Sequence, residues 1–222
     1  MPKPPDDHAA RSGERASASR CPAAPGEWFA APRLGGRFVR LEPLHPDHAD
    51  ALFDVGDRGT FLYNLTVPAT WTREAFGEYI ARLLAMTVRV TLAMLDAKTG
   101  SPIGASAYLE IRPAHRALEI GATWITPSRR GTAINPESKL LMLSHAFDTL
   151  GAIRVQLKCD ARNLQSRRAI AKLGATEEGT LRDHMLAPNG SRRNTVFFSI
   201  LEGEWADVRK NLERRLEALG VE

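Results

Sequence analysis

A short basic stretch that contains glycine has the composition of an anion-binding loop. It reads PSRRGTAIN over residues 127–135 and joins an alternating strand pattern, residues 117–126, to a predicted helix. That helix has a favoured N-cap at Asn135, a proline at its first position and a terminating glycine at Gly151. The first backbone N–H groups of a helix have no partner within it and lie at the positive end of its dipole. The arrangement is therefore suited to binding a phosphate.

Three residues of this stretch strengthen the interpretation. Arg129 and Arg130 add positive charge at the helix start, and Gly131 lets the backbone approach a ligand closely. Many loops before helices contain arginine and glycine, so an exposed loop without a ligand is an equal alternative on this pattern alone. Two common phosphate motifs, GxxxxGKS/T and a GxGxxG that follows a strand, are absent from the sequence. A P-loop nucleotidase and a dinucleotide dehydrogenase are therefore disfavoured.

The strand before the loop alternates between two kinds of side chain. The pattern places Leu118, Ile120, Ala122 and Trp124 on one face, and Glu119, Gly121 and Thr123 on the other. It thus predicts a carboxylate on the less apolar face, on the strand that leads into the loop.

The remaining patterns give a mixed order of strands and helices without internal repeats. Further strands are predicted over residues 38–41, 88–94, 103–111, 153–159, 180–185 and 195–200. Helices are predicted over residues 46–55, 72–83, 163–173 and 205–216, the last with an apolar stripe. We expect one α/β domain over residues 34–222 that ends in this helix.

The first 33 residues differ from the rest in composition. Six of the fourteen prolines fall here among alanine, serine, glycine and arginine. Such a segment has too little apolar surface to offset the entropy lost on ordering, so we predict a flexible tail, residues 1–33. Trp28 and Phe29 are its two side chains able to pack onto the domain. The segment lacks the apolar centre of a secretory signal, and its four acidic residues disfavour an organelle transit peptide.

The overall composition limits the class of protein further. Of the 222 residues, 43% are hydrophobic and 25% are charged, which excludes wholesale disorder and a collagen-like repeat. No apolar run reaches the roughly 18 residues of a membrane span. Cys21 and Cys159 can form neither a disulfide framework nor a CxxC metal site, so we expect no metal and a cytoplasmic location. The net charge of +4 suits an anionic ligand but is too small to predict nucleic-acid binding.

Together with the strand before it, the loop resembles the acyl-CoA loop of the GNAT (Gcn5-related) N-acetyltransferases. The family pattern Q/R-x-x-G-x-G/A follows its fourth strand. Here Ser128-Arg129-Arg130-Gly131-Thr132-Ala133 follows Glu119-Ile120-Gly121-Ala122-Thr123-Trp124-Ile125. The last two small positions match, whereas Ser128 stands where glutamine or arginine is usual. The loop is also about two residues longer than the commonest form, through Ile134 and Asn135.

A second block is similar to the RimJ/RimL-type ribosomal-protein acetyltransferases of that family. The branch has an N-x-x-S, K-L-G-F and E-G-x-L-R-D series. The sequence has Asn163-Leu164-Gln165-Ser166, Lys172-Leu173-Gly174-Ala175 and Glu178-Gly179-Thr180-Leu181-Arg182-Asp183, with Ala175 in place of the usual phenylalanine. The resemblance extends over about residues 35–201, and two ordered blocks are more specific than the loop alone. The chain is therefore identified as a RimJ/RimL-like member of the GNAT family.

The resemblance implies a three-layer α/β fold with a mixed, twisted central sheet and helices on both faces. In this family the fourth and fifth strands splay apart, and the pantetheine arm of acetyl-CoA enters the gap. The implied pantetheine contacts are backbone groups of Trp124, Ile125 and Thr126, with Asn163 further along the arm. The implied pyrophosphate contacts are Arg129 and the N–H groups of Arg130, Gly131, Thr132, Ala133, Ile134 and Asn135.

The resemblance also implies direct transfer of acetyl from the thioester to an amine. A base is needed because an alkyl amine is mostly protonated at neutral pH. Glu119 is the candidate base, and an ion pair with Arg116 or another cation is its structural alternative. Many relatives place a tyrosine near the leaving thiol at the position of Ile170. The branch resembles this chain in having Ser166, whose alternative role is to cap the helix that begins near Asn163.

The acceptor side is less well marked. Tyr108 and Glu110 lie on the preceding strand and are candidate substrate-binding residues. Trp71 is a third candidate, with a place in the core as its alternative. The loops over residues 57–71 and 183–193 are expected to determine which acceptor is used.

The function implied is an acetyl-CoA-dependent N-acetyltransferase acting on a primary amine, either a protein N-terminus or a small molecule. A non-catalytic acyl-CoA-binding or interaction module of the same fold is the alternative, because Ser128, Ala175 and Ile170 depart from common family choices. The partners expected are acetyl-CoA and the acceptor, without a membrane or nucleic acid. The sequence does not determine the oligomeric state; a homodimer is one option, because homodimers are frequent among such proteins.

Overall fold

A computed structural model of the protein describes residues 23–220. Its strands are β1 (Leu34–Gly35), β2 (Val39–Pro43), β3 (Val90–Asp96), β4 (Pro102–Arg112), β5 (Ala117–Ile125), β6 (Arg154–Asp160), β7 (Thr176–Leu186) and β8 (Arg192–Leu201). Its α-helices are α1 (Ala49–Val55), α2 (Arg73–Ala85), α3 (Ile134–Ser144), α4 (Leu164–Ala171) and α5 (Trp205–Leu219).

The strands of this described part form one sheet in the order β1-β2-β3-β4-β5-β6-β8-β7. Neighbouring strands run antiparallel except β5 and β6, which run parallel. The parallel pair is possible because α3 crosses over between the two strands. The sheet is therefore mixed, as the sequence predicts.

Strand β3 shows why the fold has three layers. Leu92 and Met94 belong to a core that also contains Met142 of α3. Ala93 and Leu95, which point the other way, belong to a second core that also contains Phe76 of α2. A strand that is apolar on both faces must be covered on both. The predicted three-layer fold with helices on both faces is confirmed.

The described end of the predicted tail packs against the domain. Trp28 is 1% exposed and lies in the core on the α3 side of the sheet. The N–H group of Ala23 donates to the carbonyl of Leu150. Part of the predicted tail, with Trp28 as its anchor, therefore contacts the domain, while the boundary at residue 33 stays a prediction. Residues 1–22 of the predicted tail lie outside the described residues, as do 221 and 222.

Strands β5 and β6 separate after a short paired segment. They pair only at Ala117 with Arg154, Leu118 with Val155 and Glu119 with Gln156. Beyond Glu119, β5 continues along β4, while β6 continues along β8 as far as Asp160. Each strand is thus held from its outer side only. A V-shaped gap opens between them, and Glu119 lies at its vertex.

A bulge in β5 overturns the predicted alternation of its side chains. Ala107 of β4 pairs with Gly121, but Ala105 pairs with Trp124, so β5 carries one extra residue, and Ala122 has a φ of 48°. Leu118 and Ile120 consequently face the α3 side, whereas Trp124 faces the α1 and α2 side. The prediction that all three share a face is wrong because a bulge shifts the period of two by one residue.

The start of α3 also differs slightly from the prediction. The helix begins at Ile134 with Ala133 as its N-cap, so Asn135 lies in the first turn. It ends at Ser144, and a wider turn, His145–Thr149, leads to Gly151 with a φ of 71°. Within residues 23–220, no helix has the length and apolar character needed to cross a membrane.

Candidate active site

Glu119 is a buried carboxylate with two polar partners on β6. Its side chain is 1% exposed, and Oε2 lies 2.9 Å from Nζ of Lys158. The same oxygen accepts a hydrogen bond of 3.0 Å from Nε2 of Gln156. The cation beside Glu119 is Lys158 and not Arg116, whose Nε donates to the carbonyl of Gly151 at 2.7 Å. The sequence-based alternative of an ion pair is thus present in the structure, with a different partner.

The second oxygen of Glu119 is left available. Among the described residues, no hydrogen bond uses Oε1. It lies beside Gly121, where an added Cβ atom would be only 2.8 Å away. The absence of a side chain at Gly121 therefore keeps the space next to this oxygen open. A carboxylate held on one oxygen and free on the other is positioned to accept a proton.

The loop between β5 and α3 presents unused backbone donors. Gly131 has a φ of 78°, a conformation that glycine adopts without strain, and open space lies around it. Within residues 23–220, no hydrogen bond uses the N–H groups of Gly131, Thr132, Ala133 or Asn135. The N–H group of Ile134 donates to the hydroxyl oxygen of Thr132 at 3.3 Å. These groups surround the start of α3, where an anion is favoured.

The two arginines of this loop make contacts within the protein. Arg129 forms an ion pair of 2.8 Å with Asp96, which also accepts N–H groups in the turn between β3 and β4. Arg130 donates to the carbonyl of Ile125 at 3.2 Å and to Oγ1 of Thr60 at 3.0 Å. In this structure both side chains hold the loop in place, so the donors that the loop leaves unused are backbone N–H groups.

The expected pantetheine contacts on β5 are not equivalent. The N–H group of Thr126 donates to the carbonyl of Ile103, so it points towards β4. The carbonyl of Trp124 lies directly against Gly104, where it leaves no room for a Cβ atom, so it also points towards β4. Backbone groups alternate along a strand, so Ile125 faces the gap. Its carbonyl accepts from Arg130, and its N–H group is directed into the gap without a partner among the described residues.

Asn163 and Ser166 lie at the start of α4, beyond the end of β6. Oδ1 of Asn163 accepts the N–H group of Ser166 at 3.0 Å, so Asn163 is the cap of this helix and Ser166 is not. The hydroxyl of Ser166 interacts with the thiol of Cys159, whose pKa is raised by burial and lowered by that contact. The Asn163 side-chain amide group keeps its donors for other partners.

A cavity of about 580 Å³ lies between the two loops expected to bind the acceptor. One wall comes from residues 58–71 and includes Phe61 and Trp71, and the other comes from residues 187–191. Trp71 stacks on Phe53 with ring centroids 5.3 Å apart. The cavity is lined by apolar and aromatic side chains with a few polar groups, as small-molecule sites usually are.

Two contacts connect this cavity to the strands on either side of the gap. The ring of Phe61 lies 5.1 Å from that of Trp124 on β5. Arg193, which is 5% exposed, donates from Nη1 to the carbonyl of Tyr63, a residue of the cavity wall. Burial lowers the pKa of Arg193, and the nearby charges of Asp160 and Glu119 act in the opposite direction. The cavity, the carboxylate and the gap are thus parts of one region.

The comparison with known sequences identifies the family of this chain. The sequence profile described as "Acetyltransferase (GNAT) domain" matches residues 39–176, more than half of the chain. The chain belongs to the GNAT acetyltransferase family. Its similarity to "Putative ribosomal N-acetyltransferase YdaF" of Bacillus subtilis (strain 168) is 30% identity over 106 residues. That match covers 48% of this chain and spans 57% of the relative's length.

Solved structures agree with the assignment to the GNAT family. A GCN5-related N-acetyltransferase from Brucella melitensis is 30% identical with a TM-score of 0.78, covering 86% of this chain and 90% of that one. A "putative acetyltransferase" from T. thermophilus is 39% identical with a TM-score of 0.80, covering 85% and 99%. Mycobacterium smegmatis RimJ, solved with CoA-disulfide, shares the fold at 20% identity and a TM-score of 0.69, covering 85% and 95%.

The GNAT domain places the three predicted acceptor residues in different environments. Trp71 lines the cavity. Tyr108 is 1% exposed on the α3 side of the sheet, and its hydroxyl donates to the carbonyl of Met142 at 2.8 Å. It therefore lies away from the cavity, because its strand turns this side chain to the opposite face. Glu110 is exposed at an irregularity of β4, with a φ of 46°, and does not line the cavity.

A buried lysine of the GNAT domain was not predicted to be of interest. Nζ of Lys139 donates to Oγ of Ser106 at 3.1 Å and to Oγ1 of Thr123 at 2.6 Å. These hydroxyls lie 2.7 Å apart beside the bulge of β5, and burial lowers the pKa of Lys139 to about 7. The lysine thus fastens α3 to the two strands at the point where their register changes. A lysine within an otherwise apolar helix face was the available signal.

Other residues of the site were also missed. Gln156 and Lys158 lie two residues apart on β6 and therefore share one face of the strand. A prediction that β5 and β6 pair in parallel would have placed both next to Glu119. Arg193 and Arg162 carried no signal beyond their charge. No group of three or more potential metal-binding side chains occurs among the described residues.

Proposed function

We propose that this GNAT domain is an acetyl-CoA-dependent N-acetyltransferase that transfers acetyl directly to a primary amine. The observation that carries the proposal is the position of Glu119. Its buried carboxylate lies at the vertex of the β5–β6 gap, and its free oxygen, Oε1, faces the space left by Gly121. The loop with unused N–H groups follows the same strand, and the cavity contacts Trp124 of that strand through Phe61.

The residues of the loop and the gap fit the cofactor. The N–H groups of Gly131, Thr132, Ala133 and Asn135 are free to bind the pyrophosphate, which would satisfy backbone donors that now have no partner in the described chain. The N–H group of Ile125 is the backbone donor for the pantetheine arm. Asn163, at the end of the gap formed by β6, contributes a side-chain amide group. Bound acetyl-CoA supplies the thioester whose carbonyl carbon the amine attacks.

Glu119 acts as the base in this proposal. Oε1 takes the proton that the attacking amine must lose, a bond from nitrogen to the acyl carbon forms, and the carbon–sulfur bond breaks. Lys158 and Gln156 hold the other oxygen and keep the carboxylate oriented. The Ser166 hydroxyl donates a hydrogen bond to the departing thiolate. Positioning of the reactants in the gap accounts for the rest of the rate, since a thiolate is a fair leaving group.

The acceptor enters the cavity next to Trp71. Its amine is a protein N-terminus or part of a small molecule. The name of YdaF points to a ribosomal acceptor for that protein, and only the cavity of this chain can select its own acceptor. A homodimer and a cytoplasmic location stay predictions.

Titration calorimetry with acetyl-CoA tests the cofactor half of the proposal. We expect Gly131→Ala to weaken binding strongly, because a side chain is strained at this φ and the unused N–H groups would move. Gly190→Ala is the matched control, since Gly190 has the same φ of 78° and the same open space, but lies in the turn between β7 and β8. Failure of the wild type to bind acetyl-CoA would overturn the proposal.

A non-catalytic acyl-CoA-binding module is the second candidate function. It is favoured by the ion pair between Glu119 and Lys158, since an ion pair can be the whole purpose of a buried carboxylate. A thiol-release assay with N-terminal peptides and small amines, run on Glu119→Gln, separates the two. An enzyme loses turnover by about 100-fold or more and keeps its affinity for acetyl-CoA. A binding module binds acetyl-CoA and shows no turnover in either form.

A further inference from the structure

The charged residues that line the cavity are all positive. The charged side chains that line it are two arginines, Arg58 and Arg162, and its lining contains no aspartate or glutamate. Asn64 and Ser191 add neutral polar groups to the same lining. Such a lining is not required for an amine, which is itself a cation when protonated. The positive charge of the cavity is therefore suited to bind a part of the acceptor other than its amine.

Arg58 is the cation without a competing partner. It is exposed, and no hydrogen bond or ion pair within residues 23–220 uses its guanidinium group. The neighbouring carboxylate, Asp57, is engaged elsewhere: its Oδ1 accepts the N–H group of Thr60 at 2.6 Å and the Thr60 hydroxyl at 2.9 Å. Asp57 does not line the cavity. The fork of donors on Arg58 is thus available to a ligand.

Arg162 is a cation in a fixed orientation. Its Nε and Nη2 donate to the two oxygens of Asp160 at 2.9 and 2.7 Å, which leaves Nη1 unused. Asp160 is 2% exposed, lies behind the arginine and does not line the cavity. The negative charge of Asp160 also interacts with the positive charge of the buried Arg193. The surface that faces the cavity therefore keeps a positive sign.

We propose that this cavity selects acceptors that carry an anionic group, a carboxylate or a phosphate, in addition to the primary amine. The proposal rests on the proposed transferase function. Arg58 binds the anion with its free fork, and Arg162 contributes a second charge-assisted hydrogen bond. The open oxygen of Glu119, which can accept a hydrogen bond from the amine, and the guanidinium group of Arg58, which binds the anion, orient the acceptor with its amine towards Glu119.

The cavity is large enough for two kinds of acceptor that carry both an amine and an anionic group. A volume of about 580 Å³ holds a small carboxylated or phosphorylated amine, or the first residues of a peptide with an acidic side chain near its N-terminus. The shared recognition element is the anion. The experiment therefore uses both sources, each compared with a neutral partner of nearly the same shape.

The first arm measures kcat/KM by thiol release. Its pairs are 4-aminobutanoate against 4-aminobutanamide, and a peptide that begins Ala-Glu against one that begins Ala-Gln. We expect the wild type to prefer the anionic member of at least one pair by about 10-fold or more, the effect of one charged hydrogen bond. The pair that shows the preference identifies the source. In Arg58→Gln the ratio falls towards one, and in Arg58→Glu it inverts.

The control is Lys210→Gln, which removes one exposed positive charge from α5 and leaves the ratio unchanged. A ratio near one for both pairs in the wild type would overturn the proposal. So would an anion preference that survives in the double variant Arg58→Gln/Arg162→Gln.

The second arm does not depend on turnover. The N-acetylated forms of the same compounds are titrated while tryptophan fluorescence is recorded, with Trp71→Phe to assign the signal to the cavity wall. We expect tighter binding of the anionic forms, lost in Arg58→Gln. If acetyl-CoA fails to bind and no acceptor reacts, the transferase proposal fails, and this arm still decides whether the cavity prefers anions. Equal binding of anionic and neutral forms rejects the preference even for an active enzyme.

Discussion

Glu119 and Lys158 form an ion pair of 2.9 Å at the point where β5 and β6 separate, with side-chain exposures of 1% and 13%. Lys158 lies just beyond Gln156, the last residue of β6 that pairs with β5. The pair therefore does two things at once. It compensates a buried charge, and it fixes the direction of the carboxylate whose other oxygen borders the gap.

The first prediction concerns the stability of this pair. Lys158→Met should lower the free energy of unfolding by about 3 kcal/mol, because it leaves the carboxylate of Glu119 buried without its cation. The double variant Glu119→Gln/Lys158→Met should recover part of that loss, since no unpaired charge remains. Urea denaturation of the single and double variants measures both effects. Arg167→Met is the control, because the exposed pair of Arg167 with Glu177 should contribute about 1 kcal/mol or less. Equal losses from Lys158→Met and Arg167→Met would contradict the prediction.

The second prediction concerns the space beside Glu119. A Cβ atom at Gly121 would lie 2.8 Å from Oε1 of Glu119 and 3.0 Å from Cδ1 of Leu109. Gly121→Ala should therefore displace the carboxylate and lower kcat by about 10-fold while the Kd for acetyl-CoA stays the same. Gly77→Ala, where a Cβ atom meets nothing within 4 Å, provides the matched control. An unchanged kcat in Gly121→Ala would show that the orientation of Glu119 is unimportant for turnover.

The third prediction concerns the link between the cofactor loop and the acceptor loop. Oγ1 of Thr60 accepts from Arg130 at 3.0 Å and donates to Asp57 at 2.9 Å. Thr60→Val removes both bonds and keeps the side-chain shape, so the wall that carries Arg58 should become less fixed. We expect the KM for the acceptor to rise several-fold, with the Kd for acetyl-CoA nearly unchanged, as measured by thiol release and calorimetry. Thr180→Val, on the exposed strand β7, is the control. A rise in the Kd for acetyl-CoA with a constant KM for the acceptor would assign Thr60 to the cofactor instead.

The fourth prediction concerns the pH dependence of stability. Burial lowers the pKa of Lys139 from 10.5 to about 7, so between these values the unfolded chain binds a proton that the folded protein does not. Unfolding then takes up a proton, and raising the pH makes unfolding less favourable through this group. The free energy of unfolding of the wild type should therefore rise relative to that of Lys139→Met from pH 7.5 to pH 9, by about 1.4 kcal/mol per pH unit.

Urea denaturation at several pH values measures this difference, and contributions from Tyr108 and other shared groups cancel in it. Lys98→Met, at an exposed lysine in the turn between β3 and β4, should show no comparable change. A difference between Lys139→Met and wild type that is constant with pH would mean that Lys139 keeps its proton when folded.

Local sequence signals determined most of the secondary structure. Thr72 was predicted to start α2, and its hydroxyl accepts the N–H group of Ala75 at 3.2 Å. Asn163 was predicted to start α4, and its side chain caps that helix. Capping and side-chain periodicity involve neighbours a few residues apart, so they can be detected without knowledge of the fold. The GNAT resemblance rested on motifs of the same local kind.

The tertiary structure decided the geometry of the site. The sequence placed Trp124 on the wrong face because one bulge residue, Ala122, shifts the register of β5 against β4. It left the cation beside Glu119 open between Arg116 and others. Lys158, far from Glu119 along the chain, became the partner through the parallel pairing of two strands.

The positive charge of the cavity likewise could not be predicted from the sequence. Arg58 and Arg162 are separated by more than a hundred residues, and each reads in the sequence as an ordinary exposed arginine. They line one cavity because the fold brings the loop after α1 next to the turn that follows β6. Local propensity and periodicity depend on neighbours in sequence, whereas register, burial and charge pairing depend on neighbours in space. The sequence therefore determined which residues could take part, and the packing of the sheet determined which of them meet.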